Sequence, residues 1–142
     1  MSQIKPYKTG RGICLVINNV VFAKQIGRNE SVHGRFRGGA GLDGSILSQA
    51  MAYLDIEFIF RENKTASEIE ELMTWAKNLV DSNKDKYHSL IMIISSHGSE
   101  GTIYGTDENP VDVQMKVVGP FLNTNCEGLQ GSPKIFMINA CR

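Results

Sequence analysis

The sequence predicts an α/β protein in which a mainly parallel sheet is flanked by helices. Short apolar runs rich in β-branched residues alternate with segments of helical period, an order typical of α/β folds. The runs are nearly continuous, as expected for strands that are covered on both faces. Right-handed crossovers between such strands place the helices on both faces of the sheet. The four predicted strands are residues 13–17, 56–60, 90–94 and 134–139.

A glycine-rich segment separates the first predicted strand from the first predicted helix. Residues 34–41, GRFRGGAG, are the one compositional outlier of the chain, which shows no internal repeat. Apolar residues then recur at every fourth position, which predicts an amphipathic helix with a buried stripe along them. The residues of this stripe are Leu42, Ile46, Ala50 and Leu54.

The second predicted helix has the strongest start signal in the chain. Residues 65–68, TASE, are a capping box, in which the Thr65 hydroxyl accepts from the third helical N–H and Glu68 reaches back. The apolar residues behind this box keep the helical period and predict the buried face. They are Ile69, Leu72, Met73, Ala76, Leu79 and Val80.

The segment between the third and fourth strands has weaker signals. Gly98, Gly101 and Gly105 predict turns directly after the third strand. A helix is predicted near residues 113–122, where a late Gly-Pro pair interrupts it. We expect the methionines and Trp75 to be packing residues rather than a binding surface.

Length and charge exclude several classes of protein. A chain of 142 residues with 42% hydrophobic residues allows one domain with a substantial core. Fifteen Lys and Arg residues balance fifteen Asp and Glu residues. This neutrality argues against a nucleic-acid partner and against a polybasic membrane contact. No apolar run approaches the roughly 18–20 residues of a membrane span, so we expect no membrane association.

The cysteine pattern indicates a reducing environment. Cys14, Cys126 and Cys141 are too few for a disulfide framework, and their spacing does not suggest zinc ligands. The first residues lack the apolar region of a signal peptide. We therefore expect a cytoplasmic protein without metal or cofactor. Cys14 is predicted to pack inside the first strand, and Cys126 to be structural or incidental in a polar loop.

Two reactive side chains follow strands of the predicted sheet. Residues 95–98, SSHG, come after the third strand, and residues 139–142, NACR, end the fourth. Carboxyl ends of parallel strands meet at one edge, where ligands bind, so His97 and Cys141 come together if these two strands are neighbours. A thiolate beside an imidazole is a nucleophile with its acid/base partner. Taken alone, a packed cysteine and a polar capping histidine explain the pattern equally well.

Four motifs, in order, resemble the caspase catalytic domain. RGICLVINN (11–19) resembles its opening strand, and RGGAGLD (37–43) is similar to its Arg-x-Gly-Thr-x-x-Asp loop. SHGSEG (96–101), with IYGTD (103–107) behind it, is similar to the histidine loop. KIFMINACR (134–142) resembles the nucleophile strand, whose family signature is Gln-Ala-Cys with the histidine about 50 residues upstream. The resemblance covers nearly the whole chain.

The resemblance implies a cysteine endopeptidase that cleaves after aspartate, in apoptotic or inflammatory signalling. It implies a three-layer caspase-like fold that is incomplete without a small subunit. By position, Cys141 is the nucleophile and His97 the general acid/base, while the N–H groups of Gly98 and Cys141 form the oxyanion hole. Arg37 is expected to bind the substrate aspartate, since a guanidinium pairs bidentately with a carboxylate. Arg35 is the competitor for that role.

The match departs from the family pattern at three points. Asn139 stands where the family has a pocket-lining glutamine and is one methylene shorter. Ala40 replaces the usual threonine of the arginine loop. The sequence stops at Arg142, directly after the expected nucleophile. We divide the chain into an N-terminal flank, residues 1–10, and a large-subunit catalytic region, residues 11–142.

The resemblance also implies partners and leaves one alternative open. It implies a zymogen cleaved into large and small subunits that form a heterotetramer, protein substrates with aspartate at the cut site, and adaptors bound through a prodomain absent from this sequence. We expect the isolated chain to be inactive. The alternative is a truncated or non-proteolytic caspase homologue that modulates caspases or their adaptors. His97 and Cys141 favour the enzyme, whereas Asn139 and the chain end favour the modulator. Metal or redox chemistry at Cys141 is poorly supported, because no second ligand lies near it in sequence.

Overall fold

The computed structural model describes residues 10–22, 35–36 and 42–141. Within them lie two α-helices, eight strands, one π-helical segment and two short 3₁₀ segments. In chain order these are β1 Arg11–Asn18, β2 Val21–Phe22, β3 Arg35–Phe36, α1 Gly44–Tyr53, β4 Ile56–Glu62, α2 Ala66–Ser82, β5 Tyr87–Ser99, β6 Thr102–Tyr104, β7 Pro110–Asp112, the π-helix Val113–Val118, the 3₁₀ segments Gly119–Phe121 and Glu127–Leu129, and β8 Lys134–Cys141.

Four parallel strands form the centre of the sheet, in the order β4-β1-β5-β8. The prediction of an α/β fold with a mainly parallel sheet is therefore confirmed. β5 continues past its parallel neighbours and pairs antiparallel with β6, which pairs with β7. β2 and β3 form a separate antiparallel ribbon. The predicted third strand thus extends through Gly98, and the turn that ends it lies at Gly101, whose φ of 71° is in the left-handed region.

Alternate residues of the central strands enter two different cores. In β1, Leu15 and Ile17 face α2 and are completely buried, whereas Cys14 and Val16 face α1. The α2 side contains the larger core, which also receives the π-helix and the 3₁₀ segments. Burial of one such aliphatic side chain contributes about 1.5–3 kcal/mol, so the two cores together hold the sheet rigid between its helices.

The structure confirms the predicted capping box and buried face of α2. The Thr65 hydroxyl accepts from the Glu68 N–H at 3.3 Å, and Glu68 Oε1 accepts from the Thr65 N–H at 3.1 Å. The next amide, Ala66 N–H, donates to Asp107 Oδ1 at 3.1 Å. The helix buries Ala66, Ile69, Met73, Ala76 and Val80.

The helix α1 is present, but its predicted buried stripe is correct only at Leu42, which packs on the sheet, and wrong at the three later positions. Ile46 is 65% exposed and Leu54 is 58% exposed, while Leu47 and Met51 pack on the sheet. A four-residue step rotates about 400° around a helix, so the predicted stripe drifts away from the sheet by about 40° per step. A Cβ at Gly44 would lie 3.1 Å from the Phe60 ring, which indicates close helix–sheet contact there.

Other local predictions need correction. The predicted helix near residues 113–122 is a π-helix, Val113–Val118, followed by a 3₁₀ turn, Gly119–Phe121. Pro120, which has no backbone N–H to donate, lies in this turn, at the predicted interruption. Several methionines are buried, but Met115 and Met137 are 71% and 55% exposed, and Trp75 is 45% exposed. The packing prediction is therefore wrong for these three residues.

The predictions for Cys14 and Cys126 agree with the structure in different ways. Cys14 is completely buried in β1, as predicted. Cys126 is also completely buried, and its Sγ donates to Asp81 Oδ1 at 3.3 Å, so the loop around it is packed rather than solvated. None of the helices that the structure describes is long and apolar enough to cross a membrane.

Candidate active site

The carboxyl edge of the parallel sheet brings the predicted reactive positions together. β5 and β8 are neighbours, and His97 pairs in register with Cys141. Two residues before His97, and on the same face of the sheet, Ser95 pairs with Asn18 on one side and with Asn139 on the other. The condition on which the sequence argument depended, that the third and fourth predicted strands are adjacent, is therefore confirmed.

The His97 ring has a close aromatic neighbour. The Phe22 ring lies with its centroid 4.2 Å from that of the imidazole, at an interplanar angle of 50°. Phe22 is only 1% exposed, while His97 is partly buried. The imidazole is thus held between a rigid strand and a buried ring at the rim of the sheet.

A buried amide fixes the backbone beside His97. Asn19 is completely buried; its Nδ2 donates to Ser96 Oγ at 3.2 Å, and its Oδ1 accepts from the Lys64 N–H at 2.8 Å. The Asn19 N–H donates to the Ser95 carbonyl at 2.8 Å. Ser96 Oγ in turn donates to the Tyr104 carbonyl at 2.6 Å. Because unsatisfied buried polar groups cost about 1–3 kcal/mol each, this network holds β1, β5 and β6 in one arrangement at the site.

Gly98 occupies a position without room for a side chain. A Cβ there would lie 2.6 Å from the Ala140 Cβ and 2.6 Å from the Thr102 carbonyl oxygen. Glycine is therefore required by the packing of β8 and β6 against β5. This packing requirement exists independently of the oxyanion role predicted for its N–H.

A row of polar residues lies on the α1 side of the same edge. Asn18 and Ser95 are 3% and 0% exposed, whereas Asn139 on the outer strand is exposed. Asn18 Oδ1 has no hydrogen-bond partner within the described ranges. These three side chains form a polar floor that opens to solvent beside β8.

Several predicted positions lie outside the described residues. Arg37, the predicted carboxylate-binding residue, is one of them, and so are Ala40 and Arg142. Between Phe22 and Leu42 the structure describes only β3, and Leu42 comes directly before the N-cap of α1 at Asp43.

Two of the three thiols are poor candidates for chemistry. Burial raises the pKa of the Cys14 thiol to about 11. Burial and the Asp81 carboxylate raise the pKa of the Cys126 thiol to about 11 as well. Since the thiolate is the nucleophilic form, both side chains stay protonated and unreactive near neutral pH.

Sequence reasoning missed three residues that organise this edge: Phe22, Asn19 and Ser96. Asn19 and Ser96 carried a signal, because each is the second of two polar residues that follow an apolar run. Phe22 carried none, since nothing in the sequence relates it to His97, which is 75 residues away.

A family model described as a caspase domain matches residues 11–142. The chain belongs to the caspase family. The resemblance drawn from the four motifs is thereby confirmed, and so is the caspase-like α/β fold.

Similar proteins include caspases of two kinds. The chain is 37% identical to the caspase-3 of Mesocricetus auratus over 131 residues, which are 92% of this chain and 43% of that protein. It is 35% identical to the caspase-8 of Mus musculus over 135 residues, which are 93% of this chain and 27% of that protein. The chain thus spans less than half the length of these relatives.

Proposed function

We propose that this chain is the large-subunit catalytic region, residues 11–142, of a cysteine endopeptidase that cleaves peptide bonds after aspartate. The observation that carries the proposal is the register of β5 and β8, which makes His97 and Cys141 direct neighbours at the ligand-binding edge. Membership of the caspase family supports a protease rather than another use of this pair. We further propose that the protein acts in apoptotic or inflammatory signalling.

In the proposed reaction, His97 takes the Cys141 thiol proton, and the thiolate attacks the scissile carbonyl carbon. The N–H groups of Gly98 and Cys141 donate to the oxyanion of the tetrahedral intermediate. As that intermediate collapses, the imidazolium gives its proton to the departing amine, which leaves a thioester on Cys141. His97 then removes a proton from water, the hydroxide adds to the thioester carbonyl, and the acid product leaves as the thiol is regenerated.

Aspartate recognition in this proposal rests on Arg37 and Asn139. A guanidinium binds a carboxylate through two parallel hydrogen bonds, and it does so most strongly away from water. The polar floor of Asn18, Ser95 and Asn139 supports a pocket for a polar side chain at this edge. We expect Arg37→Ala to lose aspartate substrates selectively, while Arg35→Ala serves as the matched control.

The outer face of β8 supports the proposal of a small-subunit partner. Ile135 and Met137 are 52% and 55% exposed on the α1 side, whereas Phe136 and Ile138 pack into the core. No described strand pairs with the outer edge of β8. An exposed apolar strand edge is a surface for pairing with another chain, and we propose that a caspase small subunit covers it.

The full assembly that we propose is a cleaved zymogen, a heterotetramer of two large and two small subunits. We also propose that adaptor proteins bind the full protein through a prodomain. The cytoplasm suits the unpaired buried thiols of Cys14 and Cys126, because disulfides are rare in that reducing compartment.

The test is cleavage of an aspartate-containing peptide by this chain, alone and in complex with its small subunit. We expect no turnover from the chain alone. In the complex, Cys141→Ala and His97→Ala should each lower kcat by about 10³-fold or more. Cys14→Ala removes a different, buried thiol and should retain activity. Retention of activity by Cys141→Ala would overturn the proposal.

A second candidate function is a non-proteolytic homologue that binds caspase subunits and modulates them. Two observations favour it: the apolar face of β8, which offers a pairing surface without any chemistry, and the shorter Asn139 in the expected pocket. Under this hypothesis, the complex with a small subunit forms but cleaves no aspartate peptide, and Cys141→Ala binds as tightly as the wild type.

A further inference from the structure

We infer that Phe22 is a positioning residue for the His97 imidazole. The inference rests on the proposed function, since it concerns the group that moves protons in that reaction. It adds a residue outside the four motifs that suggested the site.

The contact between the two rings is close and buried. Their centroids are 4.2 Å apart at 50°, and Phe22 is 1% exposed. The χ2 torsion of histidine is intrinsically broad, so an isolated imidazole samples many ring orientations. A tightly packed neighbour that cannot move aside removes part of that range.

Asn63 holds the backbone that carries Phe22. Its Oδ1 accepts from the Val20 N–H at 2.9 Å and from the Val21 N–H at 3.0 Å. The Asn63 N–H donates to the Asn18 carbonyl at 3.1 Å. With a φ of 52°, Asn63 adopts the left-handed conformation that asparagine tolerates better than most residues. The turn after β4 therefore holds the end of β1 and the segment after it through three hydrogen bonds.

The other side of this segment is paired as well. Phe22 lies in β2 and pairs in register with Arg35 of β3. His97 lies in β5, which pairs with β8 on one side. On the other side, the Ser95 carbonyl of β5 accepts from the Asn19 N–H, three residues before Phe22. The segment that carries Phe22 and the strand that carries His97 are thus bonded to each other and to their other neighbours, which sets the position of one ring against the other.

This arrangement predicts an effect on turnover rather than on substrate binding. Phe22 is too buried to touch a substrate, so its loss leaves KM nearly unchanged. The imidazole must present one nitrogen first to the thiol and then to the leaving amine. A misplacement of about 1 Å can cost up to about a hundredfold in rate.

The first experiment compares Phe22→Leu with Phe121→Leu in the complex with the small subunit. Phe121 is also completely buried beside an aromatic ring, Phe136 at 6.5 Å, but it lies away from the carboxyl edge. We expect Phe22→Leu to lower kcat by roughly tenfold to a hundredfold with KM within about twofold. Phe121→Leu should lose stability and retain the wild-type kcat. Equal kcat values for the two variants would overturn the inference.

The second experiment changes Asn63, which holds the segment that carries Phe22, and leaves both rings unchanged. Asn63→Gly keeps the left-handed backbone but removes the acceptor, whereas Asn63→Asp keeps both. We expect Asn63→Gly to lower kcat and Asn63→Asp to keep the wild-type kcat. Circular dichroism shows whether Phe22→Leu folds. If it does not, the comparison of Asn63→Gly with Asn63→Asp tests the inference alone, and equal kcat values for these two variants contradict it.

Failure of the inference is distinguishable from failure of the proposed function. If the function is wrong, the wild-type complex itself cleaves no peptide, and iodoacetamide alkylates Cys141 at the same rate with and without His97. If only the inference is wrong, the wild-type complex is active and depends on His97, while the Phe22 and Asn63 variants match their controls.

Discussion

Asn139 lies in the expected aspartate pocket, at a position where the resemblance implies a glutamine. It is exposed on the outer strand, in register with the buried Ser95. Asn139→Gln adds one methylene and lets the amide reach further over the polar floor. We expect selectivity for aspartate over asparagine peptides, measured as the ratio of kcat/KM values, to be retained or to rise. A loss of all activity would instead mean that the pocket has been rebuilt around the shorter side chain.

Individual residues were predictable where their chemistry is visible in sequence. His97 and Cys141 follow apolar strands and carry reactive groups, so their position at the sheet edge could be inferred. Asn63 and Phe22 could not be found in the same way. Their roles arise from contacts across 43 and 75 residues of sequence, and only the folded chain brings those segments together.

At the scale of elements, α1 illustrates the limit of periodicity. The apolar content of residues 42–54 predicted the helix correctly but not its buried face. The sheet selects the face that contains Leu47 and Met51, because the helix lies close to Phe60 at Gly44. Two apolar stripes on one helix cannot be ranked without knowing the surface on which the helix packs.

A pair of alanine substitutions tests the face of α1. Met51→Ala removes a buried side chain, so it should lower the free energy of unfolding by about 2–5 kcal/mol. Ile46→Ala acts at a position that is 65% exposed and should change it by less than about 0.5 kcal/mol. Urea denaturation of both variants measures the difference. A larger loss for Ile46→Ala would contradict the observed orientation of the helix.

Asp81 connects α2 to the segment that precedes β8. It accepts from Lys77 Nζ at 2.7 Å, from the Gly128 N–H at 2.9 Å and from Cys126 Sγ at 3.3 Å. Burial alone raises the pKa of the Asp81 carboxyl, but these hydrogen bonds outweigh it and hold the pKa below its ordinary value. The stability that the lowered pKa confers is present above the unfolded-state pKa and is lost as pH falls through the folded-state pKa.

Asp81→Asn should therefore weaken the protein most near neutral pH. We expect a loss of about 1–2 kcal/mol there and a smaller decline in stability on acidification than in the wild type. Urea denaturation over a series of pH values measures both effects. Asp55→Asn, in an exposed turn, controls for removal of a carboxylate without these hydrogen bonds. Parallel pH curves for Asp81→Asn and the wild type would contradict the assigned role.

At the scale of the whole molecule, the fold class was predictable but the order of the strands was not. Alternating strand and helix patterns determine the α/β class. The order β4-β1-β5-β8 depends on which apolar surfaces pack best across the two cores, and that choice is not local. The antiparallel extension through β6 and β7 was missed because its strands are only three residues long.

On the open side of the sheet, β8 exposes Ile135 and Met137. Met137→Lys introduces a charge on this edge, which natural proteins use to prevent pairing. We expect the wild-type chain to self-associate, and the variant to remain monomeric and to lose binding of the small subunit. Ile46→Lys alters an apolar residue that is even more exposed, but on α1, so it should change neither property. Sedimentation velocity measures both, and self-association that Met137→Lys does not reduce would show that this edge is not the pairing surface.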